Sequence, residues 1–432
     1  MVRFFLFAAL TLVSGAPLVA AEWTTATPSA LYDTHDARLF FQETIFGTRD
    51  EVLAFTDRIV QQQSVPTRVR VSVEQQNDSF YLVFANELGN AFPVYSRGSY
   101  IVKRSRSDGS FTQLKVFLQS DPGFFARIFP DGDRSVMDLY LAGSRVYSDI
   151  VLPASFDELL IAPFSRIVSL SRGLVRWDLV YPAISPEPYQ NVESMVREAR
   201  RMLPTLPDAE DGAMDENGRL VFIEDLVLQE GQPGFNCSGF AKWIADGLYY
   251  PARGRFLPLE PLKEKHLGLR GHQWSQRLED QRDPYFGLDW CRNIARQLGA
   301  SSAPATVGAE LPHPEFADVR NVPFSRYVED VGYPAEEIGR VLYLLAIQEP
   351  GHIYLGSVNR EFGRDPVLHQ HIHVVVFFPY FDEDGRFHAV VMERNVETSV
   401  ESLNRRYSGD HIHLVRVPAS GAFELPQIEY SR

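Results

Sequence analysis

The sequence predicts an α+β protein in two parts, and three observations carry that prediction. Residues 22–185 are dense in short alternating strands divided by turn signals. Residues 240–248 place Phe240, Ile244 and Leu248 at helical spacing directly behind a small, glycine-flanked cysteine. Residues 352–417 read as consecutive strands, so a helix followed by an antiparallel sheet closes the chain.

Length and charge bound the rest. The chain has 432 residues, enough for two domains or for one with large insertions, and 45% of them are hydrophobic, ample for packed cores. With 42 basic and 56 acidic residues the net charge is −14, which argues against a nucleic-acid partner and against an anionic membrane surface. Residues 1–21 carry Arg3, an apolar run over 4–13 and the small residues Val19, Ala20 and Ala21 before Glu22, the pattern of a secretory signal peptide. That run is too short for a stable membrane anchor, no cysteine near it can take a lipid, and no later stretch has transmembrane length. The expectation is an exported, periplasmic or extracellular protein.

In residues 22–185, Val69, Val71 and Val73 alternate with Arg68, Arg70 and Ser72, and Asn77-Asp78 turns the chain into residues 80–84. Further hairpins follow at 100–102 with 114–117 and at 137–141, with Asp108-Gly109 and Asp131-Gly132 as turns, not ligands. Helices are expected over 49–62 and 156–160. This is a β-rich accessory domain without an evident chemical motif.

Ala183-Ile184-Ser185-Pro186-Glu187-Pro188 marks the boundary by its prolines, and 186–432 forms the second part. A helix over 191–203, capped by Asn191, is predicted with Val192, Met195, Val196, Ala199 and Leu203 on one face. A polar loop (207–218) and a strand (220–223) precede the cysteine helix. Residues 251–335 are too long for a connection and read as an insertion with its own helix near 290–298. Strands are then expected at 340–347, 352–358, 371–378, 387–393 and 411–417, with a turn at 381–386.

Chemistry centres on Gly234-Phe235-Asn236-Cys237-Ser238-Gly239-Phe240. A thiol at a helix N-terminus is favoured as thiolate, and the small Ser238 and Gly239 admit a carbonyl while leaving backbone N–H groups for an oxyanion. Cys237 therefore reads as a nucleophile, and Cys291, in an amphipathic helical pattern, as a second unbridged thiol. The base is expected to be His373, at the head of 374–378. His388, fifteen residues on and across a turn, is expected to orient it, with His371 as rival base and Glu393 as an alternative third group.

Asn236-Cys237-Ser238-Gly239-Phe240, His373-Val374-Val375-Val376, Phe387-His388-Ala389 and the tail Val400-Glu401-Ser402-Leu403 to Arg405-Arg406-Tyr407 together resemble the NlpC/P60 cysteine peptidases, a papain-like family of bacterial cell-wall turnover. The likeness covers about residues 188–417. It implies a papain-like fold with Cys237, His373 and His388 as nucleophile, base and orienting residue, no cofactor, and peptidoglycan stem peptides as substrate. Asn236 stands where the family carries Asp, the upstream tyrosine is missing, and 136 residues separate Cys237 from His373, a longer interval than is usual there. Two other readings compete. One is a catalytically inactive binding or structural protein of the cell envelope; the other is a metal-dependent hydrolase built on His371-Ile372-His373 and His411-Ile412-His413.

Overall fold

The computed structural model describes residues 33–270, 274, 285–302 and 310–428. The expected signal peptide, residues 1–21, lies outside them. Alternating apolar residues do build an antiparallel meander: β1 (Arg58–Gln61), β2 (Arg68–Gln76), β3 (Ser79–Asn86), β4 (Tyr100–Ser105), β5 (Phe111–Phe117), β6 (Phe125–Asp131), β7 (Arg134–Leu141) and β8 (Ser144–Leu152) pair in chain order. Asn77 sits at φ 51° and Gly132 at φ 63°, the left-handed residues that tight hairpins require. Helices α1 (His35–Phe40), α2 (Gln42–Phe46) and α3 (Arg49–Leu53) precede this sheet, and α4 (Phe156–Ile161), α5 (Phe164–Leu170) and α6 (Trp177–Val180) follow it.

The helix expected over 49–62 is shorter. Thr48 and Glu51 form a reciprocal capping box that starts α3, but the helix stops at Leu53 and the β-branched Ile59 and Val60 pair with Arg70 and Val69 as an edge strand.

The second part opens with α7 (Gln190–Met202), entered from a 3-10 turn at Glu187–Tyr189, so Asn191 lies inside the helix and does not cap it. After β9 (Ala213–Met214) and β10 (Leu220–Val221) comes α8 (Cys237–Arg253), with Cys237 as its first residue. Asn236 caps it by accepting from Gly239 N at 2.8 Å. The region expected as an insertion contains α9 (Gly287–Ser302) and β11 (Tyr333–Pro334). Next is α10 (Ile338–Gln348), where a strand was expected over 340–347. A short run that is apolar on every side fits a buried helix as well as a buried strand, and here all seven residues from 340 to 346 are buried, as is Ile338. Strands β12 (His352–Phe362), β13 (Leu368–Phe381), β14 (Phe387–Glu393) and β15 (Val396–Thr398), helix α11 (Val400–Arg406) and β16 (His411–Pro418) complete an antiparallel sheet of order β11-β16-β12-β13-β14-β15. The molecule is thus α+β with two antiparallel sheets, and no helix among the described residues is long and apolar enough to cross a membrane.

Two contacts fix the cysteine helix. Trp290 of α9 donates Nε1–H to Ser238 O at 3.1 Å, and Trp243 donates to Pro426 O at 3.1 Å. Inside α8, Lys242 and Asp246 form an ion pair at 2.7 Å with both side chains wholly buried, and Asp246 also accepts from Leu257 N. Burial pushes the Asp246 carboxyl up to about 6.

The two sheets share α10. Phe124 packs on Tyr343 with ring centroids 4.6 Å apart, Gln119 of the first sheet's domain donates to the Tyr343 hydroxyl, and that hydroxyl donates to Val180 O.

The N-terminus of α8 lies directly on backbone. A Cβ on Gly239 would sit 2.0 Å from Gly212 O and 3.0 Å from Ala213 Cα, and neither is a side chain that can swing away. Gly239→Ala is expected to destabilise the fold by about 1–3 kcal/mol in urea unfolding. Gly268→Ala, at ordinary φ with nothing within 4 Å, is the control expected to be neutral. Equal unfolding midpoints for the two variants would refute the packing argument.

Candidate active site

Cys237 reaches the surface because it is the first residue of α8, where the chain turns out of the cap at Asn236. It lines a cleft of about 620 Å³ together with Ser238, His371 and His373. Both histidines come from β13, where the pairing with β12 slips: His373 lies opposite Val358, His371 opposite Asn359, and Ile372 is the extra residue. Such a bulge bends the strand and re-aims neighbouring side chains.

His373 is hydrogen-bonded to Cys237 on one side and, through Nε2, to Glu393 Oε2 at 2.7 Å on the other. With Nε2 engaged, Nδ1 is the nitrogen left for the sulfur. The ring is largely buried, its side chain 13% exposed. Burial pulls its pKa down, but the bonds to Cys237 and to Glu393 outweigh that and raise it to about 9. For Glu393, burial pushes the carboxyl up, while His373 and Arg406 more than offset this and hold it below the ordinary value.

The ring of His388 lies elsewhere. It pairs with Tyr380, seven residues along β13 from His373, a separation of roughly 23 Å at ~3.3 Å per residue. There it stacks on Tyr380 and binds Asp382 Oδ2 at 2.8 Å. The expected pairing of the two histidines is corrected by the register of the hairpin: Tyr380 takes His388 near the turn and Val376 takes Met392, so the residue that closes β14 on the side of His373 is Glu393. The turn at 382–385 is held by Asp382 accepting from Asp384 N and Arg386 N.

His371, the rival base, is buried; its Nδ1 shares a 2.7 Å hydrogen bond with Ser357 Oγ, and its ring packs where a Cβ on Gly287 would stand. The two His-x-His pairs do not lie on neighbouring strands, because β12 separates β13 from β16. His413 meets Tyr327 OH at 3.0 Å and Asp318 at 3.5 Å. Among the described residues, the three-ligand group close enough to share one ion is Glu315, Glu329 and Asp330, which includes no histidine and is crossed by Arg292 and Arg320.

Three features were not anticipated from the residues. Glu210, Asp211 and Glu224 make an acidic wall of the cleft, and burial together with Glu224 and Asp225 pushes the Asp211 carboxyl up. Arg394 lies on the cleft as well, tied to Asp208 at 2.7 Å and to Ala209 O at 2.7 Å. Tyr285, just before α9, also lines it, in a chain that lacks a tyrosine shortly before Cys237. Their signal is weak because loop residues distant in sequence carry no spacing rule. Cys237 and Cys291 are not bridged to each other, and Trp290 is buried in the core.

Residues 27–179 match the family model of a domain of unknown function, DUF8515, about a third of the chain and confined to its first part. No curated protein and no solved structure matches the chain.

A raised pKa fixes the sign of a pH effect. The stabilisation that charged His373 receives from its partners is fully present below its unfolded value of about 6.5 and is lost as pH rises through about 9. The imidazole Cε1–H signal of His373 is expected to titrate near pH 9, and Glu393→Gln to bring that midpoint down by at least about one unit. A wild-type midpoint near 6.5 would sink this assignment.

Proposed function

We propose that this chain is a cysteine hydrolase of amide bonds, with Cys237 as nucleophile, His373 as base and then acid, and Glu393 as the residue that orients His373. The observation that carries the reading is the unbroken line from Cys237 through His373 to Glu393 at the edge of an open cleft. A charged imidazole beside the sulfur favours a thiolate. The thiolate adds to the carbonyl carbon, forming the C–S bond. The oxyanion is received by backbone N–H groups in the first turn of α8, a contribution of about 3 kcal/mol per donor. Collapse breaks the C–N bond, and the amine leaves with the proton from His373. Water, deprotonated by the now neutral His373, adds to the thioester and expels the sulfur, restoring the charged ring and giving the acid product.

A cysteine at a helix start packed beside an antiparallel sheet that supplies the histidine is also the arrangement that the NlpC/P60 resemblance implies. On that basis the substrate is proposed to be a peptidoglycan stem peptide, met outside the cytoplasm after export. The departure is in the third residue, a carboxylate from the end of β14 in place of His388.

Purified sacculi and disaccharide-peptides, incubated with the wild-type chain and with Cys237→Ala, are expected to yield new stem-peptide fragments by mass spectrometry with the wild type alone. Glu393→Gln is expected to lower the rate at least about tenfold, and His388→Ala to leave it within about twofold. Absence of any Cys237-dependent product from a folded protein would reject the peptidase reading.

A further inference from the structure

Both oxygens of Glu393 are occupied. Oε2 meets His373 Nε2 at 2.7 Å, and Oε1 accepts from Arg406 Nη2. Arg406 is the last residue of α11, a helix capped by Ser399, which accepts from Ser402 N at 3.2 Å, and seated through buried Leu403. The next residue, Tyr407, lays its ring along the imidazole of His373, with centroids 6.0 Å apart and planes 27° from parallel. The guanidinium carbon of Arg406 sits 5.3 Å from the centre of that same ring. One chain segment thus grips His373 twice, directly through Tyr407 and indirectly through Arg406 and Glu393.

Exposure separates the roles. The Glu393 side chain is 4% exposed and that of Arg406 46%, and Arg406 is not among the residues lining the cleft. Its hydrogen bond toward the His373 site runs through the carboxylate. A carboxylate bonded at one oxygen alone is free to turn about its Cγ–Cδ bond. A guanidinium on the second oxygen, planar and directional, removes that freedom, whereas an ammonium would supply charge without fixing the plane.

We propose that Arg406 is a positioning residue: by holding Oε1 of Glu393 it sets the carboxylate so that Oε2 keeps the His373 ring turned toward Cys237. This rests on the reading of Cys237, His373 and Glu393 as the reacting groups. If Arg406 acts through Glu393 and not through Tyr407, its loss costs nothing once Glu393 can no longer form the paired contacts. A merely structural role for Arg406 would instead add its cost to any other.

The test is a double-mutant cycle on the full chain, read as the rate at which iodoacetamide alkylates Cys237 at pH 7, with the modified peptide quantified by mass spectrometry. In that reaction the sulfur forms a C–S bond and iodide leaves, so the rate reports the reactive thiolate and needs no substrate. Arg406→Ala and Glu393→Gln are each expected to slow alkylation about tenfold, and the double variant to match Glu393→Gln within about twofold. A wild-type rate in Arg406→Ala, or losses that multiply in the double variant, overturns the proposal. If the Ala variant does not fold, as judged by circular dichroism, Arg406→Lys takes its place. It keeps the charge and is expected to slow alkylation about threefold, and a wild-type rate there overturns the proposal too. Wild-type Cys237 reacting no faster than the same cysteine in urea would overturn the reactive-thiol reading itself, and the proposal with it. A fast wild type with an unaffected Arg406→Ala overturns the positioning role alone.

Discussion

The close approach of backbone to backbone at Gly239 and Gly212 is the constraint on which the rest of the site depends. Cys237 begins a 17-residue helix, so its position is set by where that helix can come to rest. Three glycines decide this: a Cβ on Gly212 would strike Gly234 O at 2.2 Å, one on Gly234 would strike the backbone of Asp208 and Ala209, and one on Gly239 would strike Gly212 O. The loops before the helix therefore nest with its first turn at main-chain distance, and Trp290 ties that turn from the other side. Only with the thiol so placed can a histidine from β13 reach it.

The sheet supplies the second half of the geometry by simple hairpin arithmetic. His373 is the sixth residue of a 14-residue strand, and Glu393 closes the 7-residue strand that returns beside it, so they meet where the shorter strand ends while Tyr380 and His388 meet near the turn. The bulge at Ile372 then brings His371 and His373 to the same cleft. Charge completes the arrangement. An imidazole this buried would ordinarily be neutral, and it is the partners on either side of it that make the charged form the favoured one.

Much of this was legible in the residues, and the failures have physical causes. Cys237 at a helix start follows from the turn-forming run before it, its small neighbours and the apolar spacing behind it, all local signals. His373 follows from its place at the head of an apolar strand. The partner of His373 was misplaced because two histidines flanking a turn look like a pair, whereas pairing depends on strand length, and β13 runs to Phe381 beyond the expected end at 378. Arg406 and the acidic wall carry no local pattern at all, since their meaning is created by folding. In the scaffold, the alternating hairpins of the first sheet were readable from period and turn residues. Helix α10 was not, because a segment buried on all sides has lost the amphipathic contrast that distinguishes a helix from a strand.

Helix α10 also bears on what the chain's two parts are to each other. Tyr343 touches Phe124 and Gln119 on one side, and Phe381 and Phe387 of the second sheet on the other, with ring centroids 5.8 and 5.3 Å away. The proline-rich stretch near residue 185 is a break in the covalent thread without being a break in the apolar interior. Cutting there would leave the second sheet with a solvent-facing aromatic wound. The residues matched by the domain of unknown function thus form one bank of a shared core, and neither part of the chain can be lifted out without exposing the other's aromatic face.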